Sequence, residues 1–179
     1  MASVLELPGF GERISDDEWC SRDTGNAATH AEAFGNWPSA PRRIVFPFLD
    51  GQLIIEDCDP LPPWLPSAIR SLDELGGLPA NWDSYGAGKI RHSNIVTTVH
   101  LLLAVMRDNT PLPSFVPTNQ STILLEWHMR GIDLEVEIRG HGRLHVFFED
   151  AQDGTEWESE LSSDLSKLVN CIQRLTDKG

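Results

Sequence analysis

Tyrosine occurs once, cysteine three times, and Lys and Arg together only 14 times in this chain of 179 residues. Cys20, Cys58 and Cys171 are odd in number and widely spaced, and they form neither a CxxC pair nor a disulfide framework, so they read as reduced thiols. The basic residues face 27 acidic ones, and the net charge of −13 repels phosphate backbones and anionic lipid heads. Direct nucleic-acid binding and a membrane partner are therefore not expected. No apolar run approaches the roughly 18–20 residues of a membrane span, and residues 1–10 carry neither a basic n-region nor an apolar h-region. A soluble, cytoplasmic protein is expected. The chain also has no GxSxG, HExxH or kinase signature, and Gly86 and Gly88 complete neither GxGxxG nor GxxxxGK[ST]. No cofactor is expected.

Leu, Ile, Val and Phe make up a little over a quarter of the residues, enough for one core. Residues 1–43 are rich in Gly, Ser, Asp, Asn and Pro and show no sustained period, which predicts an irregular N-terminal arm with isolated Trp19, Phe34 and Trp37. A single domain is expected over 44–179. It opens with a β-hairpin, Ile44 to Phe48 and Leu53 to Ile55, turning at Asp50-Gly51. Pro47 cannot donate a ladder hydrogen bond, so its strand belongs at an edge. Leu65, Ala68, Ile69, Leu72 and Leu75 then mark a helix that starts at Pro66 and stops at Gly76-Gly77. A second helix, with Ser93 as a candidate cap, carries Ile95, Val99, Leu102, Leu103 and Met106 at helical spacing. Ser114 to Pro117 is a short extended segment between prolines and the next turn.

The last third fixes its own register. A two-residue turn at Arg130-Gly131 sets Trp127 opposite Leu134, Leu125 opposite Val136 and Ile123 opposite Ile138. A three-residue turn at Gly140-His141-Gly142 then pairs Ile138 with Leu144, Val136 with Val146 and Leu134 with Phe148. A turn at Asp153-Gly154 returns a fourth strand, 155–159, with Trp157 near Phe148. A stripe of Leu161, Leu165, Leu168, Val169, Ile172 and Leu175 predicts a final helix over the apolar face. The alternating strands and short turns give an α+β fold: an antiparallel sheet, built from the C-terminal meander and the N-terminal hairpin, with helices packed on one face.

The same register writes out the other face. Glu126 falls opposite Glu135, Leu124 beside Glu137 and His145, and His128 beside Asp133 and Glu149, with Glu156, Glu158 and Glu160 extending the row. Residues 121–160 hold ten acidic and three basic side chains, and like charges placed directly opposite each other are destabilising. Four readings follow. The imidazoles of His128 and His145 with nearby carboxylates are ligand types for a divalent ion, which would fit a small metal-dependent hydrolase or nuclease. Glu137 and His145 could instead act as a cross-strand acid–base pair. The carboxylates could steer a basic protein onto the sheet, or they could simply keep the surface hydrated.

The connection Leu78 to Lys89 holds Trp82, Asp83 and the lone Tyr85 among glycines, a composition suited to partner contact. Alternatively, Trp82 and Tyr85 plug the end of the core while Asp83 caps a turn.

Asn81-Trp82-Asp83-Ser84-Tyr85-Gly86-Ala87, followed by Ile123-Leu124-Leu125-Glu126-Trp127 and Leu134-Glu135-Val136-Glu137-Ile138, resembles a loose group of small bacterial and phage-borne proteins. These share a WDSYGA loop ahead of an LEW strand and an LEVEI strand. The likeness spans roughly residues 70–150, implies a common scaffold and a prokaryotic or phage origin, and transfers no catalytic residue. It implies an accessory role in toxin–antitoxin or phage–host conflict. Residues and resemblance together lead to the expectation of a non-enzymatic, acidic inhibitor of a basic partner, a nucleic-acid-binding enzyme among the candidates. Trp82, Asp83, Tyr85, Glu126, His128, Glu135, Glu137, His145 and Glu149 are its candidate partner-binding residues.

Overall fold

The computed structural model describes residues 4–6, 43–49, 51–56, 61–140 and 142–178. The aromatic anchors expected at Trp19, Phe34 and Trp37, and the thiols Cys20 and Cys58, lie outside them. The chain divides into two units, Met1–Asp59 and Pro60–Gly179.

In the first unit, β2 (Arg43–Phe48) and β3 (Gly51–Glu56) pair as an antiparallel hairpin. Phe48 pairs with Gly51, so the turn begins one residue earlier than Asp50-Gly51, and Leu49 takes a left-handed φ of 55°. A strand absent from the sequence reading, β1 (Val4–Glu6), runs parallel to β3, which leaves β2 and its Pro47 at the edge of the order β1-β3-β2. The hairpin thus belongs to a sheet of its own and does not extend the meander.

The second unit is built on a five-stranded antiparallel sheet in sequential order: β4 (Ser114–Pro117), β5 (Ile123–Met129), β6 (Ile132–Ile138), β7 (Leu144–Asp150) and β8 (Thr155–Leu161). Every pairing anticipated from apolar matching is present, including Trp127 with Leu134, Val136 with Val146 and Phe148 with Trp157. Arg130 and Gly131 both have positive φ, 58° and 72°, as a two-residue hairpin turn of right-handed strands requires. A Cβ at Gly131 would meet nothing within 4 Å, so Gly131→Ala tests the backbone alone. A loss of about 1 kcal/mol is expected in a urea titration.

Ile123, Leu125, Trp127, Ile132, Leu134, Val136, Ile138, Leu144, Val146 and Phe148 are all buried on one face. Three helices cover it. In α1 (Leu65–Gly76) the five apolar positions of the helical stripe are the five buried ones. α2 (His92–Val105) packs against α1, α3, β5 and β6, and it buries polar Asn94 and Thr98 along with its aliphatic residues. Asn94 donates from Nδ2 to the Ser121 carbonyl at 3.0 Å, and the Thr98 hydroxyl returns to the Asn94 carbonyl at 2.8 Å. Ser93 makes no cap bond, because the helix begins at His92 with Arg91 in the capping position. α3 (Ser166–Asp177) buries Leu168, Cys171, Ile172 and Leu175; Leu161 ends β8, and Leu165 precedes the first helical turn. No helix among the described residues is long and apolar enough to cross a membrane.

Candidate acidic face and aromatic loop

Side chains alternate between the faces of a strand, so burying the apolar set of β5–β7 sends the intervening residues outward, and the pairing with β7 carries the alternation onto β8. Glu126, His128, Glu135, Glu137, His145 and Glu149 share this outer face with Asp133, Glu156, Glu158 and Glu160. Glu126, Glu135, Glu137 and His145 are half-buried, whereas His128, Asp133, Glu149, Glu156, Glu158 and Glu160 are exposed. Val116, Leu124 and Phe147 interrupt the carboxylates with apolar surface.

Two polar groups form at opposite ends of the face. Toward the β5–β6 turn, His128 Nδ1 lies 2.8 Å from Asp133 Oδ1, while its Nε2 stands 3.9 Å from Glu126 Oε1. The Asp133 hydrogen bond raises the His128 pKa above the ordinary imidazole value, and the charges of Glu126 and Glu135 add to it. Glu126 and Glu135 face each other directly across β5 and β6. Neither pairs with a Lys or Arg among the described residues.

At the other end Arg139 donates from Nε to Glu137 Oε2 and from Nη1 to Glu160 Oε1, both at 2.6 Å. The Thr122 hydroxyl donates to Glu137 Oε1 at 2.7 Å. Partial burial pushes the Glu137 carboxyl up, but the Thr122 hydroxyl and the Arg139 guanidinium outweigh it and hold the pKa below the ordinary value. His145 directs Nε2 to Glu158 Oε1 at 2.7 Å. The supposed Glu137–His145 acid–base pair therefore has its carboxylate committed to Thr122 and Arg139, and its imidazole to Glu158. Arg139 was missed by the sequence reading, although it follows Glu137 by two residues and so falls on the same face.

His128 and His145 are not brought together. His128 shares a row with Asp133 and Glu149, and His145 precedes Glu149 by four residues on a strand two removed, about 13 Å along the strand direction. They cannot share one ion.

The loop after α1 holds itself in shape. Asp83 Oδ1 accepts the backbone N–H groups of Tyr85 at 2.8 Å and Ala87 at 3.0 Å, Asn81 Oδ1 accepts that of Gly86 at 2.7 Å, and the Asn81 N–H reaches the Ala87 carbonyl at 2.7 Å. The N–H groups of Ala87 and Tyr85 hold the Asp83 carboxyl below its ordinary range. Asn81, Ser84 and Gly86 all adopt positive φ. This fixed frame leaves Tyr85 94% exposed, so the tyrosine does not plug the core. Trp82 is half-buried, with an indole N–H that is buried and unpartnered. No hydrogen bond or ion pair among the described residues joins Trp82, Asp83 or Tyr85 to the acidic face.

No protein-family model, curated protein or solved structure matches this chain. Cys171 offers no nucleophile: burial pushes its thiol up to about 11.

Proposed function

We propose that the protein is a non-enzymatic binding module that docks a basic protein on the outer face of β5–β8. It would act as an inhibitor of the antitoxin or anti-defence type. The observation that carries this reading is the set of eight outward carboxylates from Glu126 to Glu160 on four adjacent strands, against which Arg139 is the one Arg or Lys paired among the described residues. A planar array of carboxylates can occupy the groove in which a nucleic-acid-binding enzyme holds phosphates, and it speeds encounter as well as fixing register. Val116, Leu124 and Phe147 add apolar contact within that array. Tyr85 supplies a second, preorganised anchor, since a tyrosine held by a rigid loop loses little conformational entropy on docking.

The immobilised chain is expected to retain a basic protein stoichiometrically from a lysate of its source organism at about 0.1 M salt and to release it by about 0.5 M. The double substitution Glu135→Lys/Glu149→Lys should abolish capture while leaving the circular dichroism unchanged. Capture that survives both high salt and charge reversal would refute docking on this face, as would recovery of no stoichiometric protein.

A further inference from the structure

The His–carboxylate contacts on the outer face differ in one respect. His128 is hydrogen-bonded to Asp133 at 2.8 Å and His145 approaches Glu158 to 2.7 Å, but His128 Nε2 stays 3.9 Å from Glu126. One ligand atom each of Glu126, His128 and Glu135 lies within 4.8 Å of the other two. Ligand atoms around an ion bound at about 2.1 Å stand about 3.0–3.4 Å apart, so no pair of the three needs to close by more than about 1.8 Å to grip one. We propose that Glu126, His128 and Glu135 bind a divalent transition-metal ion, with zinc preferred over magnesium because one ligand is an imidazole.

Three features of the chain support the site. Glu126 and His128 are two residues apart on β5, and Glu135 is the direct cross-strand neighbour of Glu126, so rigid backbone positions all three Cα atoms. Asp133, which is not a ligand, accepts from Nδ1 and fixes the ring with Nε2 turned toward the carboxylates, the arrangement of a carboxylate–histidine–metal relay. The opposed Glu126 and Glu135 have no Lys or Arg partner among the described residues, and an ion would offset their repulsion. Because His128 is exposed, an ion here would keep open positions for water or for a donor from another molecule. The site stands independently of docking: an ion can bind with no protein partner present.

The test is calorimetric titration of the full chain with zinc chloride and, in parallel, magnesium chloride. One zinc per chain is expected, with magnesium binding at least tenfold weaker. His128→Ala and Glu135→Gln should each weaken zinc at least tenfold, and Asp133→Asn about tenfold through the ring orientation. His145→Gln should leave the affinity unchanged. Cobalt substitution gives a second readout, since its visible absorption bands should change in His128→Ala. Zinc affinity that is unaltered by His128→Ala and Glu135→Gln, or one-to-one binding absent at millimolar zinc, would overturn the site and leave a cluster held by its own histidine. Glu135 serves both readings, so they are told apart at Glu149→Lys, which should weaken capture of a basic protein and leave the zinc titration unchanged.

Discussion

Trp127→Ala is expected to remove about 3–5 kcal/mol of stability, a large share of what a domain of this size possesses. Trp127 is 1% exposed at the centre of the core face, between Leu134 on β6 and the helices. Its indole Nε1 donates to the Pro111 carbonyl at 2.7 Å, tying β5 to the segment that leaves α2. Truncation opens a cavity that close-packed neighbours fill only in part, and it strands a carbonyl as well. Trp127→Phe separates the two contributions: it keeps most of the ring volume and loses the donor, for an expected cost of about 1–3 kcal/mol. Guanidinium unfolding followed by far-ultraviolet circular dichroism measures both. Equal losses in the two variants would show that the hydrogen bond, and not the packing, dominates at this position.

The acidic face also stands on that packing. Glu126, Glu135 and Glu137 face outward because their strand neighbours are apolar and buried, and a one-residue slip of β5 or β6 would send Glu126 and Glu135 inward. This coupling is why the meander was legible. Alternation over Ile123–Met129, broken only by Leu124, and over Ile132–Ile138, joined by a two-residue turn, admits one register that matches apolar with apolar, and the outer face follows from it. The α1 stripe was readable for the same reason, at a period of 3.6.

Other features were set by contacts with no local pattern. β1 is three residues long and depends on β3 for its definition, so nothing within Val4–Glu6 announces it. Ser93 looked like a cap because serine favours that position, yet α2 starts earlier and takes its first N–H bonds to Arg91. Leu161 and Leu165 continue the α3 stripe in sequence but fall on β8 and the connection, since helical and strand periods overlap over so few residues. In the candidate site, period two distributed residues between faces but could not foretell which carboxylate each Arg or His side chain would meet. Arg139 reaches both Glu137 and Glu160, and His145 pairs diagonally with Glu158.

Asp150→Ala is expected to lower the melting temperature by roughly 10 °C, because it breaks a buried charge cluster on one side only. The Asp150 side chain is fully buried at the end of β7. It accepts from Arg174 Nη2 at 2.6 Å, from Lys178 Nζ at 2.8 Å and from the Gln152 N–H at 3.0 Å. Arg174 also donates to Asp153 in the β7–β8 turn, so four charges fasten the C-terminal end of α3 to the hairpin beneath it. Removing Asp150 leaves Lys178 facing the core edge without its counterion. Asp150→Ala/Lys178→Met, which removes both charges of that pair, should recover part of the loss in a double-mutant cycle with the two single variants. Acid exposes the same cluster. The Lys178 hydrogen bond holds the Asp150 carboxyl below its ordinary value, and bonds from Thr155 and then Arg174 draw Asp153 down to about 2 from 3.8. A carboxyl with a depressed folded pKa contributes its stability above the unfolded value and loses it as pH falls toward the folded one. The melting temperature should therefore drop between about pH 4 and pH 2 more steeply in the wild type than in Asp153→Asn, whose amide does not titrate there. Parallel acid profiles would mean that Asp153 is no better bound in the folded chain than in the unfolded one.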